Sequence, residues 1–131
     1  MIYCSHFSWQ PNVQSLEMAD TAHSAAFTDV QTAFIQAEAE DVERENELAK
    51  KVLKNIKWVC GKNKTKKVIL HSFAHLSESK ADPEFTKAFF NRIQERLENV
   101  DYEVSQTPFG FFLDLDMKAP GLSLARVFKS L

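Results

Sequence analysis

The chain reads as a single α/β domain, with a sheet of about five to six strands packed by two long helices and a short C-terminal helix. Three observations predict it. Leu48, Val52, Leu53, Ile56 and Val59 recur at helical spacing, and so do Phe85, Phe89, Ile93 and Leu97. Between those stretches lies the short apolar run Val68 to Phe73, which suits a buried strand. After the second helix, Phe111, Leu113, Leu115 and Met117 alternate with Phe112, Asp114 and Asp116, the period of a half-buried strand.

Taken in order, Ile2 to His6 predicts an N-terminal strand, ended near Ser8 and Pro11. Asn12 to Asp29 is small and polar with poor periodicity, and reads as a long loop with at most a helical turn. Val30 to Ala37 reads as a strand. The first helix is expected from about Val42 to Trp58. Its acids come first (Glu43, Glu45, Glu47) and its lysines last (Lys50, Lys51, Lys54, Lys57), which complements the helix dipole. Gly61 to Lys67 reads as a polar, basic turn. Asp82-Pro83 opens the second helix, with Asp as the capping side chain and Pro at the first helical position, and it runs to about Asn99. Tyr102 to Gln106 is a further strand, and Ala119-Pro120-Gly121 turns the chain into a last helix from about Leu122.

At 131 residues, 44% of them hydrophobic, the chain can bury a core without disulfides or a structural metal. A net charge of −2 does not advertise nucleic-acid binding, so any RNA contact must come from a local patch. Cys4 and Cys60 stand far apart without a CxxC pair, which fits reduced thiols in a cytoplasmic protein. No stretch is apolar for 18 residues, and the first twenty residues lack the basic-then-apolar pattern of a secretion signal. The whole of 1–131 is expected to be one domain, too short for the ATP-using core of a synthetase.

Chemistry-bearing groups are sparse. His71 and His75 are four apart, but no third ligand follows at metal spacing, and no metal or cofactor is expected. His75 follows a strand's C-terminal end, where open α/β sheets bind ligands, although a structural histidine would read the same. Asp114 and Asp116 fit paired carboxylates or, more simply, the solvent face of an edge strand. Ser72, Ser77 and Ser123 lack a GxSxG elbow, which argues against a serine hydrolase. Lys62, Lys64, Lys66 and Lys67 could track a phosphate backbone or simply solvate a turn. Phe109, Phe111 and Phe112 could stack a terminal adenine or fill the core.

Two blocks carry more. Ser72-Phe73-Ala74-His75-Leu76-Ser77 ends one strand, and Thr107-Pro108-Phe109-Gly110-Phe111-Phe112 lies between two others, so both can converge on one cleft. Phe73 to Ser77, Pro83, Asn91-Arg92 and Pro108 to Gly110, with Gly121, Leu124 and Ala125 beyond and Ser5 and Ala33-Phe34-Ile35 before, resemble the archaeal threonyl-tRNA synthetase editing domain in fixed register. That resemblance implies a fold like D-aminoacyl-tRNA deacylase and a homodimer. It also implies an activity, hydrolysis of serine wrongly esterified to threonine tRNA, by a free-standing or excised domain that could work with a synthetase. His75 would lie in the aminoacyl pocket, with Ser5, Ser72, the Phe73-Ala74 backbone, Phe109, Gly110, Phe112 and Leu113 around the substrate. The adenosine's 2′-hydroxyl would help to position the attacking water.

The chain departs from the family where polar machinery is expected. Leu113 stands in place of a lysine, Phe112 of a tyrosine, Arg126 of a glutamate, and Ser72 of a proline. Leucine cannot donate to a developing oxyanion, and losing one such donor typically costs about 10²–10³ in rate. With the cation lost at Leu113, Arg126 is the candidate to restore a positive charge from a different direction, and it joins His75 as the candidate catalytic pair. The other outcome is a binding module for an aminoacyl-tRNA end, an amino acid or a synthetase partner.

Overall fold

The computed structural model describes residues 1–73 and 79–131. Strands β1 (Ile2–Gln14), β2 (Ala25–Ile35), β3 (Lys67–Ser72), β4 (Glu103–Gln106) and β5 (Phe111–Lys118) form one sheet in the order β4-β3-β2-β1-β5. β1 is antiparallel to both β2 and β5, while β2, β3 and β4 run parallel. Helices α1 (Glu45–Asn63) and α2 (Pro83–Glu98) make the crossovers that parallel neighbours require.

Both helices cover the same face. Ala33, Val68, Leu70 and Val104 of the sheet pack with Leu48, Val52, Ile56, Phe89, Ile93 and Leu97 of the helices. Ile93 and Leu97 are wholly buried, so truncating either to alanine should cost about 2–5 kcal/mol. α2 starts as expected: Asp82 accepts from the Glu84 amide at 2.8 Å, and Pro83 takes the first position. α1 runs past Trp58 to Asn63 and stops at Lys64, whose left-handed backbone closes it.

The other face carries an aromatic cluster built on Cys4, Phe7, Trp9, Val30 and Ile69, with Phe27, Phe34, Leu113 and Met117 against it. Cys4 and Phe7 are three apart yet share this cluster. Ser5 has no partner in the β1–β2 register, and Asp29 opposite takes φ 51°, which resets the alternation.

Two expectations are corrected. Asn12 to Asp29 is loop only in its middle: β1 continues to Gln14 and β2 begins at Ala25, leaving 15–24 as the connection. Pro11 is tolerated because β1 has parted from β2 by then, the last pair being Trp9 with Ala25, and only β5 remains beside it. The expected C-terminal helix is only the 3-10 turn Ser123–Ala125. Beyond it the chain extends along β1, with Ile2 bridged to Arg126 and Met1 and Val127 exchanging backbone bonds of 2.7 and 2.9 Å. Among the described residues no helix is long and apolar enough to cross a membrane.

Candidate functional site

The two sequence blocks meet through side chains that precede their most distinctive residues. β3 and β4 are parallel neighbours, so their C-terminal ends lie together, and the Thr107 amide donates to the Leu70 carbonyl at 3.1 Å. One residue on, His71 Nδ1 lies 2.8 Å from Thr107 Oγ1. The His71 ring is buried and packed edge-on against Phe34 (4.7 Å between centroids) and beside Phe73 (6.2 Å). Burial pushes its pKa down to about 4, so the ring is neutral near pH 7.

Phe73 follows β3, its amide donating to the Ile35 carbonyl at 3.0 Å. Together with Phe34, Ile2, Asn55, Phe89 and Arg126 it lines a largely apolar cavity of about 690 Å³, bounded on one side by the C-terminal tail. Of the predicted site residues that are described, only Phe73 and Arg126 reach this cavity. Arg126 does so from extended backbone rather than from a helix. Ala74 and His75, the predicted wall and pocket residues, lie outside the described residues.

Phe109 and Gly110 are clamped by the β1–β2 connection. Asp20 accepts from the Phe109 amide at 3.0 Å through its carboxylate, and its own amide donates to the Phe109 carbonyl at 2.9 Å. Lys87 of α2 binds the same carboxylate at 2.9 Å and Gln106 at 3.0 Å. Gly110 has φ +89°, and a Cβ there would meet Ala19 and the Met18 carbonyl at 2.8 Å, so glycine is required. Phe109 is buried and Phe112 is 60% exposed, so of the two only Phe112 presents a face to stack on. Leu113 is half-buried against the aromatic cluster.

Ser5 donates to the Lys118 carbonyl at 3.1 Å, and Ser72 ends β3 opposite Ile35. Asp114 and Asp116 are exposed; Asp114 accepts from Asn12 at 3.1 Å, and Asp116 lies 3.7 Å from the His6 ring. The four lysines lie towards the opposite end of β3 from Phe73. Lys67 donates to the Thr28 carbonyl at 2.7 Å and Lys66 sits 4.3 Å over the Tyr102 ring, while Lys62 and Lys64 are exposed. Among the described residues only Glu38, Glu40 and Asp41 bring three potential metal-ligand atoms together, and Asp41 is already engaged by Arg44 and the Glu38 amide.

Sequence reasoning weighed His71 only as a metal ligand and gave Thr107, Asp20 and Lys87 no role. The signal for the first pair was their placement, His71 just ahead of one block and Thr107 at the head of the other, at the ends of strands that turn out to be neighbours.

The family described as the archaea-specific editing domain of threonyl-tRNA synthetase matches residues 1–131. A threonine–tRNA ligase of Pyrobaculum calidifontis is 28% identical over 130 residues, covering 98% of this chain and 21% of that protein. One of Thermococcus kodakarensis is 27% identical over 114 residues, covering 87% and 18%. The chain thus spans about a fifth of the length of these relatives. Among solved structures, the c-Myc DNA unwinding element binding protein superposes with TM-score 0.58 at 11% identity, covering 88% of this chain and 87% of its own. That likeness shows the fold alone.

Proposed function

We propose a function from one premise: the chain belongs to the archaea-specific editing-domain family of threonyl-tRNA synthetase. The reaction is hydrolysis of the ester that joins serine to the 3′ end of threonine tRNA. The need for it is chemical. A synthetase pocket shaped for threonine gains only about 1–3 kcal/mol from the extra methyl, so serine slips through and a second site must remove it.

The observation that carries the reading is the junction of the two motif blocks at His71 and Thr107, beside Phe73 and the cavity. Water attacks the ester carbonyl, the oxygen gathers negative charge, and the ribose oxygen leaves with a proton. The protein's share is placement and stabilisation of that charge. In this reading the segment that begins at Phe73 supplies the amino-acid wall that turns away threonine's methyl, and Ala74 and His75 keep the roles that the resemblance implies. Arg126 brings positive charge to the cavity. Phe112 offers a stacking face for the terminal adenine, and Lys62 and Lys64 meet phosphates further along the acceptor stem. Residues 1–131 act as one unit, paired with a second copy or set beside a synthetase.

A second reading, a binding module without turnover, is favoured by Leu113, which is half-buried against the aromatic cluster and has no proton to donate. Mixing the chain with seryl-tRNA(Thr) separates the two. Ester loss above the buffer rate supports the enzyme. A raised melting temperature with a non-hydrolysable 3′-amide of seryl-adenosine, without ester loss, supports the module.

A further inference from the structure

Charge is very unevenly spread along this chain. Residues 48–67 hold eight of the sixteen basic residues and none of the eighteen acidic ones. That segment carries +8, and the remainder, eight basic residues against eighteen acidic, carries −10. It comprises α1 from Leu48 onward, the turn after it and the first residue of β3. Lys50, Lys54, Lys57 and Lys62 stand exposed on the solvent side of the helix, and Lys64 follows at its end. None of these five takes an ion pair or hydrogen bond among the described residues. The other three are engaged: Lys51 with Glu47 at 2.9 Å, Lys66 over the Tyr102 ring, and Lys67 with the Thr28 carbonyl. The fold does not need this arrangement. A helix dipole rewards a cation only in the last turn, which of the four helical lysines holds Lys62 alone. Lys50 and Lys54 are four apart and Lys54 and Lys57 three apart, so they repel and weaken the helix. Trp58 sets an indole, 44% exposed, among them. Gly61 leaves the same side bare, with nothing of the chain within 4 Å of where a Cβ would stand.

We infer that the solvent face of α1, from Lys50 to Lys62 with Trp58 among them, is the surface on which this chain seats an RNA strand; the ester reading above enters only in the choice of RNA among polyanions. Unpaired lysines in a row complement phosphates: each contact releases a counterion and holds the backbone without reading its sequence. Lys50 to Lys62 spans about 18 Å of helix, enough for several phosphates. Trp58 offers a flat face to a ribose or an unstacked base. The acidic remainder of the chain repels the same backbone, so the segregation of charge orients the strand as well as attracting it. A membrane surface fits less well, because an interfacial helix needs a free apolar face and that of α1 is buried in the core. The surface also borders the site. Asn55 lines the cavity, and its side-chain amide donates to the Lys51 carbonyl one turn back at 2.8 Å. Trp58 stands three residues further along. A strand laid on α1 thus passes beside the cavity, so its end can turn in, and Lys62 and Lys64 are the far end of a longer track.

The test titrates uncharged tRNA(Thr) into the natural chain over a range of salt, beside two variants. One changes Lys50, Lys54, Lys57 and Lys62 together to glutamine, which keeps lysine's helix propensity. The other changes Lys66 and Lys67 to glutamine. The first should weaken binding at least about tenfold at about 50 mM salt and lower the slope of log affinity against log salt by about 3, at about 0.7–0.9 per lost contact. The second should bind as the natural chain does. Affinity and slope held within about twofold in the four-lysine variant overturn the inference, as does a natural chain that leaves tRNA unbound. Retention on phosphatidylserine–phosphatidylcholine vesicles in place of tRNA overturns it in favour of a membrane surface. A readout without any lysine change is the emission of Trp58, identified by difference against Trp58→Phe. Added tRNA should quench it, and an unmoved emission overturns the inference. The ester reading is separable. If the natural chain hydrolyses seryl-tRNA(Thr), the four-lysine variant should raise KM at least about tenfold with kcat held; an unchanged KM sinks the surface and leaves the deacylase standing. If nothing is hydrolysed but tRNA binds through these lysines, the deacylase falls and the surface stands.

Discussion

His71 Nδ1 and Thr107 Oγ1, 2.8 Å apart, tie the C-terminal ends of two parallel strands together at the point where each hands over to its motif. The bond is short and buried, and the ring it holds packs against Phe34 and Phe73. Its consequences reach stability as well as chemistry.

Burial lowers the His71 pKa from 6.5 to about 4, so the unfolded chain takes up a proton where the folded one does not. Stability must then fall as pH drops from about 6.5 towards 4 and level off below, by an amount on the order of 3 kcal/mol. Urea unfolding at pH 7 and pH 4.5 should show the natural chain losing about 2–3 kcal/mol more than His71→Phe, the carboxylate contributions being common to both. Equal losses would contradict a buried neutral ring.

Gly110→Ala should destabilise the domain by about 2–4 kcal/mol, because the new Cβ meets Ala19 and the Met18 carbonyl while φ stays positive. Denaturant midpoints measure it. A change under about 0.5 kcal/mol would mean that the 15–24 connection moves aside freely.

Asp20→Ala should release the Phe109 amide and leave Lys87 with Gln106 alone. The carboxylate is partly exposed, so the expected cost is modest, about 1–2 kcal/mol. Faster hydrogen exchange at the Phe109 amide, with little change in the α2 interior, is the specific signature.

Cys4 and Cys60 are both free and buried, and burial raises both thiols, Cys60 to about 12. Since the thiolate is the reacting form, neither should label with a thiol reagent at pH 8 until the chain unfolds. Rapid labelling of Cys60 in the folded protein would show that α1 opens there.

Both helices and the strands β3, β4 and β5 were legible because their apolar periodicity is local. Leu48 to Val59 and Phe85 to Leu97 sit as their spacing implies. The far half of β1 was not legible, since its partner β5 lies about a hundred residues away and Pro11 argues against a strand. The C-terminal tail misled for the same reason: bonds to Met1 and Ile2, at the other end of the chain, hold it extended. Within the site, the motif blocks stood out as letters, but the His71–Thr107 contact required the strand order. Arg126 was placed on a helix that does not form, yet it still reaches the cavity from the extended tail.

The most direct test of the central claim is a single-turnover comparison of seryl- and threonyl-tRNA(Thr) with the purified chain, each against buffer alone. The account predicts loss of the serine ester well above the buffer rate, with the threonine ester spared. Equal rates for both esters, or neither exceeding buffer, would contradict it.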